Sequence, residues 1–382
     1  MPISPAVPGS LVTVHIDLER IRANVRQLPL SPERLMPVIK SDAYGHGMLA
    51  VAHVLHGLGV RHFAVGTVAE AVLVRQAGLD QCVVPLLGAV TPDEARAAQA
   101  HGITPLVFGE QQLRMLAAQT SYAQPLDIAV KFETGMGRLG FAPQDVPALL
   151  DALRAAPWVR PVLALSHLSC ADMPEEVAWT REQAGIFFAM CDSLRGAFPA
   201  LKRSLCNSPA TVAYPEFHAE LARPGIALYG GNPFHGTDWQ HRGTAFAPAM
   251  SVSAPVLHIH ALEAGQSVSY GRMYRADGPR RVAVLAVGYA DGFARVLSGR
   301  ASVGIGGHRA PLLGRVCMGM VMADVSDIPT AALASISRAW IMGTPADDAG
   351  APTLQELATV WGTIPYEVLC LLGRNNRVYT HA

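Results

Sequence analysis

The 382-residue sequence predicts an α/β fold in two parts: a (β/α)8 barrel over residues 1–240 and a mostly-β C-terminal domain over residues 241–382. Three observations carry that expectation. Eight short apolar runs alternate with amphipathic helical stretches before residue 240, the arithmetic of eight strand–helix units. Beyond that point the helical period gives way to short alternating runs separated by Gly and Asp turns. Half of the residues are apolar and 16% are charged, which suits a large core and not a disordered or coiled chain. A doubly wound open sheet is the competing arrangement, disfavoured because no Gly-x-Gly-x-x-Gly turn follows an early strand.

Leu11–Ile16 is a β-like run, and residues 1–16 are candidates to pair with the C-terminal domain. Asp17 then caps a helix with Leu18, Ile21, Val25 and Leu28 on one face. Met36–Lys40 is the first barrel strand; it ends on a lysine and enters a polar, glycine-punctuated loop with Tyr44 in it. The other seven runs are His62–Val65, Val83–Leu87, Thr104–Phe108, Asp127–Phe132, Val162–His167, Arg203–Cys206 and Ala222–Tyr229. Among the helices between them, the one after Thr91 has Thr as cap, Pro92 in its first turn and Gly102 at its end. The second part contains Met250–His260, Arg281–Gly288, Ala301–Ile305, Ala310–Leu313 and Met320–Val325. Gly304-Ile-Gly-Gly307 reads as a hairpin turn, since no helix follows it. His258 and His260 alternate on a strand with no third ligand near, so no metal is assigned.

Thirty basic and thirty acidic side chains give zero formal net charge. That argues against nucleic acid or an anionic membrane as a main partner and removes one barrier to self-association. No apolar window approaches the ~18 residues of a spanning helix, and Met-Pro-Ile-Ser-Pro has no secretory features, so a cytoplasmic protein is expected. The six cysteines form no C-x-x-C pair. Buried free thiols are the expectation, as for Cys370 within Val-Leu-Cys-Leu-Leu.

Several polar groups fall at the carboxyl ends of the proposed strands. Lys40 and Tyr44 follow the first, Arg138 the fifth, His167 the sixth and Asn207-Ser208 the seventh, while Arg223-Pro-Gly225-Ile226 belongs to the eighth. In a barrel these converge on one mouth, where barrel enzymes do their chemistry. A lysine at an apolar strand end is costly unless its charge is paired or its pKa is lowered, and a lowered pKa suits it to nucleophilic chemistry. Ser208 with the Gly225–Ile226 backbone supplies donors for a phosphate, and Gly225 permits close backbone approach. A lysine opposite a phosphate cup is what pyridoxal 5′-phosphate requires.

Long motifs stand at these positions: Lys-Ser-Asp-Ala-Tyr-Gly-His-Gly (40–47), Glu-Thr-Gly-Met-Gly-Arg-Leu-Gly (133–140), Ser-His-Leu-Ser-Cys-Ala-Asp (166–172), Arg-Pro-Gly-Ile-Ala-Leu-Tyr-Gly (223–230), Val-Ser-Tyr-Gly (268–271) and Val-Gly-Tyr-Ala-Asp-Gly (287–292). In them the sequence resembles the pyridoxal-phosphate-dependent alanine racemases over nearly its whole length. The resemblance implies a two-base interconversion of L- and D-alanine that supplies D-alanine for peptidoglycan, in a homodimer with shared active sites. Lys40 would carry the cofactor and act as one base. Tyr270, from the β domain of a partner subunit, would be the other. Racemisation needs a base on each face of Cα, because the proton leaves one face and returns to the other. A tyrosine is a weak base unless cations favour its phenolate, and His167 and a neighbouring arginine are the candidates.

The resemblance also implies that Tyr44, Ser208, Gly225 and Ile226 hold the phosphate and that Arg223 faces the pyridine nitrogen. Arg138 would bind the ring oxygen and the substrate carboxylate, with Lys131 carbamylated to orient it. The Met318 N–H would receive the substrate carboxylate from across the interface. Asp172, Tyr289, Arg295 and Arg315 would line the access channel. Three positions depart from the family pattern. Gly319 stands where an Asp is usual, Arg374 where relatives place a tyrosine, and Ser204 where many carry His. The first two leave open a broader racemase acting on serine or lysine. A decarboxylase of basic amino acids, with Cys317 as its acid, is the other alternative; it would place an acidic residue where Arg223 stands. A lone-barrel cofactor carrier would end near residue 240.

Overall fold

The computed structural model describes residues 10–344 and 346–380, so residues 1–9 of the segment expected to pair with the C-terminal domain lie outside the described residues. The first strand, β1 (Thr13–Asp17), stands outside the barrel. β2 (His62–Val65) pairs in parallel with β3 (Cys82–Pro85). β4 (Leu106–Val107), β5 (Leu126–Lys131), β6 (Val159–Leu165) and β7 (Lys202–Ser204) pair in parallel in sequence order. Backbone bonds close the ring: Thr104 N–H to Val83 O (3.0 Å), Leu221 N–H to Arg203 O (3.1 Å), Met36 N–H to Ala222 O (2.7 Å) and Ala64 N–H to Pro37 O (2.9 Å).

The first and eighth members of the ring are shorter than their apolar runs predict. They pair only through isolated bridges, Leu35–Ala222, Val38–Ala64 and Ser204–Leu221. The run Ala222–Tyr229 is extended only at its start, and Ile226–Tyr229 forms a buried 3-10 turn. A short buried apolar run has no periodicity that separates a strand from a turn, which is why the sequence misled there. Lys40 likewise does not simply end a strand. Ser41, Asp42, Ala43 and Tyr44 follow it with φ of 53° to 54°, one turn of left-handed backbone. For non-glycine residues that conformation costs about 1–2 kcal/mol each, so tertiary contacts must hold it.

β8 (Met250–Leu262) organises the C-terminal domain. β9 (Ser267–Val268) and β10 (Tyr274–Arg275) form a small ribbon. β11 (Arg280–Leu285), β12 (Ser302–Ile305), β13 (His308–Leu313), β14 (Val321–Asp324), β15 (Arg338–Met342) and β16 (Asn376–Thr380) complete an eight-stranded sheet in the order β11-β14-β13-β12-β15-β8-β1-β16. β8 pairs with β1 and β15 along its first half and with β11 along its second, so the sheet curls back on itself. Between β15 and β16, the helices Leu354–Trp361 and Pro365–Leu372 pack on each other, the second also against the Lys40–Tyr44 stretch.

Local signals read as their chemistry predicts. Asp17 accepts from Arg20 N–H at 3.0 Å at the head of the helix Leu18–Arg26. Thr91 and Glu94 cap the helix Pro92–Ala100 reciprocally. Gly306 and Gly307 turn the β12–β13 hairpin. The His258 and His260 rings stack on β8 at 5.4 Å, and no group of three metal-ligating side chains occurs among the described residues. The cysteines correct the expectation: Cys191 and Cys206 are buried, while Cys82, Cys170, Cys317 and Cys370 are partly exposed. No described helix is long and apolar enough to cross a membrane.

His46 sits just past the left-handed turn, fully buried, its ring stacked on Tyr229 at 4.5 Å. Nδ1–H points at the carbonyls of Ala43 (3.0 Å) and Tyr44 (3.1 Å), and burial pushes the imidazole pKa down to about 4. Between that value and the ordinary 6.5 the unfolded chain binds more protons than the folded one, so stability falls as pH falls through this window. The loss from His46 reaches roughly 3 kcal/mol at the bottom of the window. Urea midpoints measured from pH 7 to pH 4 should show this slope. His46→Asn, which keeps a donor near those carbonyls, should lower stability at pH 7 yet flatten the slope by about one proton; an unchanged slope would contradict the assignment.

Candidate active site

A cavity of about 450 Å³ opens at the carboxyl end of the barrel strands. Lys40, Tyr44, Lys131, Arg138, His167, Ser208, Arg223, Gly225 and Ile226 all line it, nine of the positions that the sequence singles out. Five of them are basic, and no Asp or Glu lines the cavity. Like charges crowded in a poorly hydrated space favour deprotonation. Burial and then Arg138 lower the Lys40 pKa, partly offset by Cys370 and Glu70. Lys131 falls to about 7, through burial and then Arg223. His167 lies well below 6.5, because burial, Arg223, Arg138, Lys131 and Lys40 all oppose its charge. A neutral imidazole cannot be the cation that favours a tyrosine phenolate, which removes His167 from that role.

Arg223 stays cationic, although burial and Arg138 bring it down to about 10. It is 4% exposed. Nη1 donates to Ser204 O (2.5 Å) and Ser204 Oγ (2.7 Å), and Nη2 to Leu205 O (3.3 Å) and Ser166 O. These acceptors replace water around the guanidinium, and Ser204 supports it through both its carbonyl and its hydroxyl. All four bonds use the terminal nitrogens and leave Nε–H as the donor available to the cavity.

Lys131 Nζ donates to Phe132 O at 2.8 Å and lies 3.4 Å from Ser166 Oγ. Behind it, the Glu133 carboxylate accepts from the N–H groups of Gly135 (2.6 Å), Gly137 (3.0 Å) and Arg138 (3.0 Å), which shapes the loop that carries the Arg138 side chain. At the opposite wall, Ser208 Oγ accepts from Gly225 N–H (2.8 Å) and Ala227 N–H (3.3 Å). Ile226 N–H has no acceptor among the described residues. A Cβ on Gly225 would lie 2.5 Å from the Tyr44 hydroxyl, so only glycine leaves the space between them free. A lysine amine with a lowered pKa, a cup of hydroxyl and N–H donors and a surplus of cations can together hold a phosphate-bearing carbonyl compound. The residues fit pyridoxal 5′-phosphate.

The remaining expected residues do not reach this cavity within one chain. Tyr270 and Met318 are 68% and 62% exposed on the C-terminal domain. Tyr289 and Arg295 are exposed beside them, and the Arg315 guanidinium packs over Gly271, next to Tyr270. Asp172 lies near Tyr366 but does not line the cavity. Gly319 is exposed, and a Cβ there would meet nothing within 4 Å. Arg374 is exposed and acts on the Cys370 thiol without lining the cavity. Among the lining residues not anticipated are Tyr366 and Cys370, both on the helix Pro365–Leu372. Their i, i+4 spacing puts them on one helical face, the only sign the sequence offers.

Comparison with known proteins agrees with this geometry. Residues 16–233 match the family model for the alanine racemase N-terminal domain, and residues 249–379 match that for the C-terminal domain. The chain is 48% identical over 377 residues to an alanine racemase of Nitratidesulfovibrio vulgaris (strain DP4), covering 99% of this chain and 98% of that one. The alanine racemase structure from a D-cycloserine-producing Streptomyces lavendulae superposes with a TM-score of 0.87 at 31% identity, covering 98% of each chain. The Bartonella henselae alanine racemase, solved with covalently bound pyridoxal phosphate, superposes with a TM-score of 0.83 at 27% identity over 98% of this chain and 100% of that one.

Gly225→Ala should push the Tyr44 hydroxyl out of the cup and weaken pyridoxal 5′-phosphate binding by roughly tenfold or more. Calorimetric titration measures this directly, and an unchanged affinity would exclude the cup as the phosphate site.

Proposed function

The chain belongs to the alanine racemase family and is an amino-acid isomerase, and on that premise we propose that Lys40 and Tyr270 are the two bases that interconvert L- and D-alanine with pyridoxal 5′-phosphate. The observation that supports this reading best is the separation of the two groups. Lys40 sits in the cavity with a lowered pKa, while Tyr270 is exposed on the other domain. Met273, Tyr289, Val296, Met318 and Met320 are also exposed on that domain. Such an apolar surface fits contact with a second copy, which brings Tyr270 and Met318 to the neighbouring cavity in a homodimer.

The bound cofactor supplies an electron-withdrawing ring that acidifies the substrate Cα–H. Tyr44, Ser208 and the Gly225–Ile226 backbone hold its phosphate, and Arg138 and His167 flank its ring. Lys40 Nζ, whose pKa burial and Arg138 lower, takes or returns the Cα proton on one face. Tyr270 Oη from the second copy does so on the other. Arg138 and the Met318 N–H orient the substrate carboxylate. Arg223, whose Nε–H is left free, would face the ring nitrogen of the bound cofactor and hold its own proton tightly, so the ring would draw less charge from Cα. This favours proton return over transamination and speaks against the decarboxylase alternative. A pKa of about 7 leaves Lys131 partly neutral, the form that reacts with carbon dioxide. Its carbamate would pair with Arg138 in place of repelling it. Asp172, Tyr289 and Arg295 border the route in. D-Alanine from a cytoplasmic enzyme of this kind supplies peptidoglycan.

Lys40→Ala and Tyr270→Phe should each abolish racemisation of L- and D-alanine in a chiral assay. Mixing the two inactive variants after dissociation should restore up to about a quarter of wild-type activity, because half of the dimers are mixed and each has one intact site. Full activity in either single variant would refute the two-base assignment, and no recovery on mixing would refute the shared site. Arg223→Glu should raise transamination side products; their absence would remove Arg223 from the ring nitrogen.

A further inference from the structure

Building on that function, we propose that Arg377, in the last strand, is a positioning residue that holds the left-handed turn Ser41–Tyr44 in the conformation presenting Lys40 and Tyr44 to the cavity. Four successive non-glycine residues at φ of 53° to 54° relax toward ordinary backbone unless something restrains them. The Arg377 guanidinium pairs with the Asp42 carboxylate inside the turn. Its Nε–H reaches Gly45 O at 2.9 Å, just past the turn, and Gly373 O at 3.0 Å, at the end of the helix Pro365–Leu372. Asp42 in turn accepts from Met48 N–H at 2.7 Å. One side chain therefore ties the turn to the C-terminal domain.

The contact it secures is backbone on backbone. A Cβ on Gly45 (φ +82°) would lie 2.6 Å from Leu369 O and 2.8 Å from Gly373 Cα. Glu70 restrains the other end of the turn, accepting from Ser41 N–H (2.9 Å) and Gly66 N–H (2.6 Å). Arg377 does not line the cavity, so it acts through the turn and the helix end that it holds together. Its planar fork spans a carboxylate and two carbonyls, which an ammonium cannot do at once. Loss of the tie would let Lys40 and Tyr44 shift together, and a displacement near one ångström is enough to cost catalysis heavily.

Arg377→Gln, Arg377→Lys, Asp42→Asn and the double variant Asp42→Asn/Arg377→Gln, compared as holoenzymes, test this. Equilibrium dialysis against pyridoxal 5′-phosphate gives the cofactor dissociation constant, steady-state kinetics give kcat and KM in both directions, and circular dichroism reports the fold. The expected result for Arg377→Gln is cofactor binding weaker by roughly tenfold or more, lower kcat in both directions and a KM for alanine within about twofold of wild type. The double variant should be no worse than the poorer single one, and Arg377→Lys should recover part of the loss. Wild-type cofactor affinity and kcat in Arg377→Gln, or losses that add in the double variant, would overturn the proposal. If Arg377→Gln does not fold, Asp42→Asn keeps both carbonyl bonds and decides the matter, and wild-type affinity there overturns it. A wild-type chain that binds no cofactor would instead overturn the function on which the proposal rests.

Discussion

Five basic side chains share one cavity in which no carboxylate faces them. Burial, and then that crowding, set the protonation chemistry of the site. Both oppose positive charge, so the pKa values of both lysines and of His167 are lowered. Arg223 cannot follow them as far, and the carbonyls of Ser204, Leu205 and Ser166 solvate it instead. An anionic ligand resolves the imbalance. A phosphate and a substrate carboxylate together supply the negative charge that the protein leaves out, which couples cofactor and substrate binding to one electrostatic need.

The two domains divide the task of building this cavity. The barrel collects side chains from distant parts of the chain at the carboxyl ends of its strands, the property that makes this architecture suit catalysis. The C-terminal domain contributes from the same chain the helix Pro365–Leu372 and the strand β16, which close over the turn after Lys40. Its exposed residues Tyr270 and Met318 do not line that cavity within the chain.

Much of this was legible in the sequence for a simple reason. Lys40 and His167 end apolar runs, Arg138 and Ser208 follow them and Arg223 lies within one, and a barrel brings such positions to one mouth whatever the details of the strands. The alternating texture after residue 240 likewise followed from burial on one face of a sheet. The misses have equally physical causes. The 3-10 turn at Ile226–Tyr229 is buried all round, so its pattern matched a strand. The lowered pKa of His167 depends on burial and on four cations that are near only in the folded chain. Tyr366 and Cys370 belong to a helix that packs on Lys40 from more than 300 residues away in sequence, and nothing local announces that contact.

Burial and the neighbouring cations suit Lys40 to be the amine that holds the cofactor. The most direct measurement is to reduce the pyridoxal-5′-phosphate-loaded protein with borohydride, digest it and locate the label by mass spectrometry. One stable pyridoxyl-phosphate adduct is expected, on Lys40, with Lys131 unlabelled. An adduct on Lys131 or on a surface lysine, or no adduct at saturating cofactor, would contradict it.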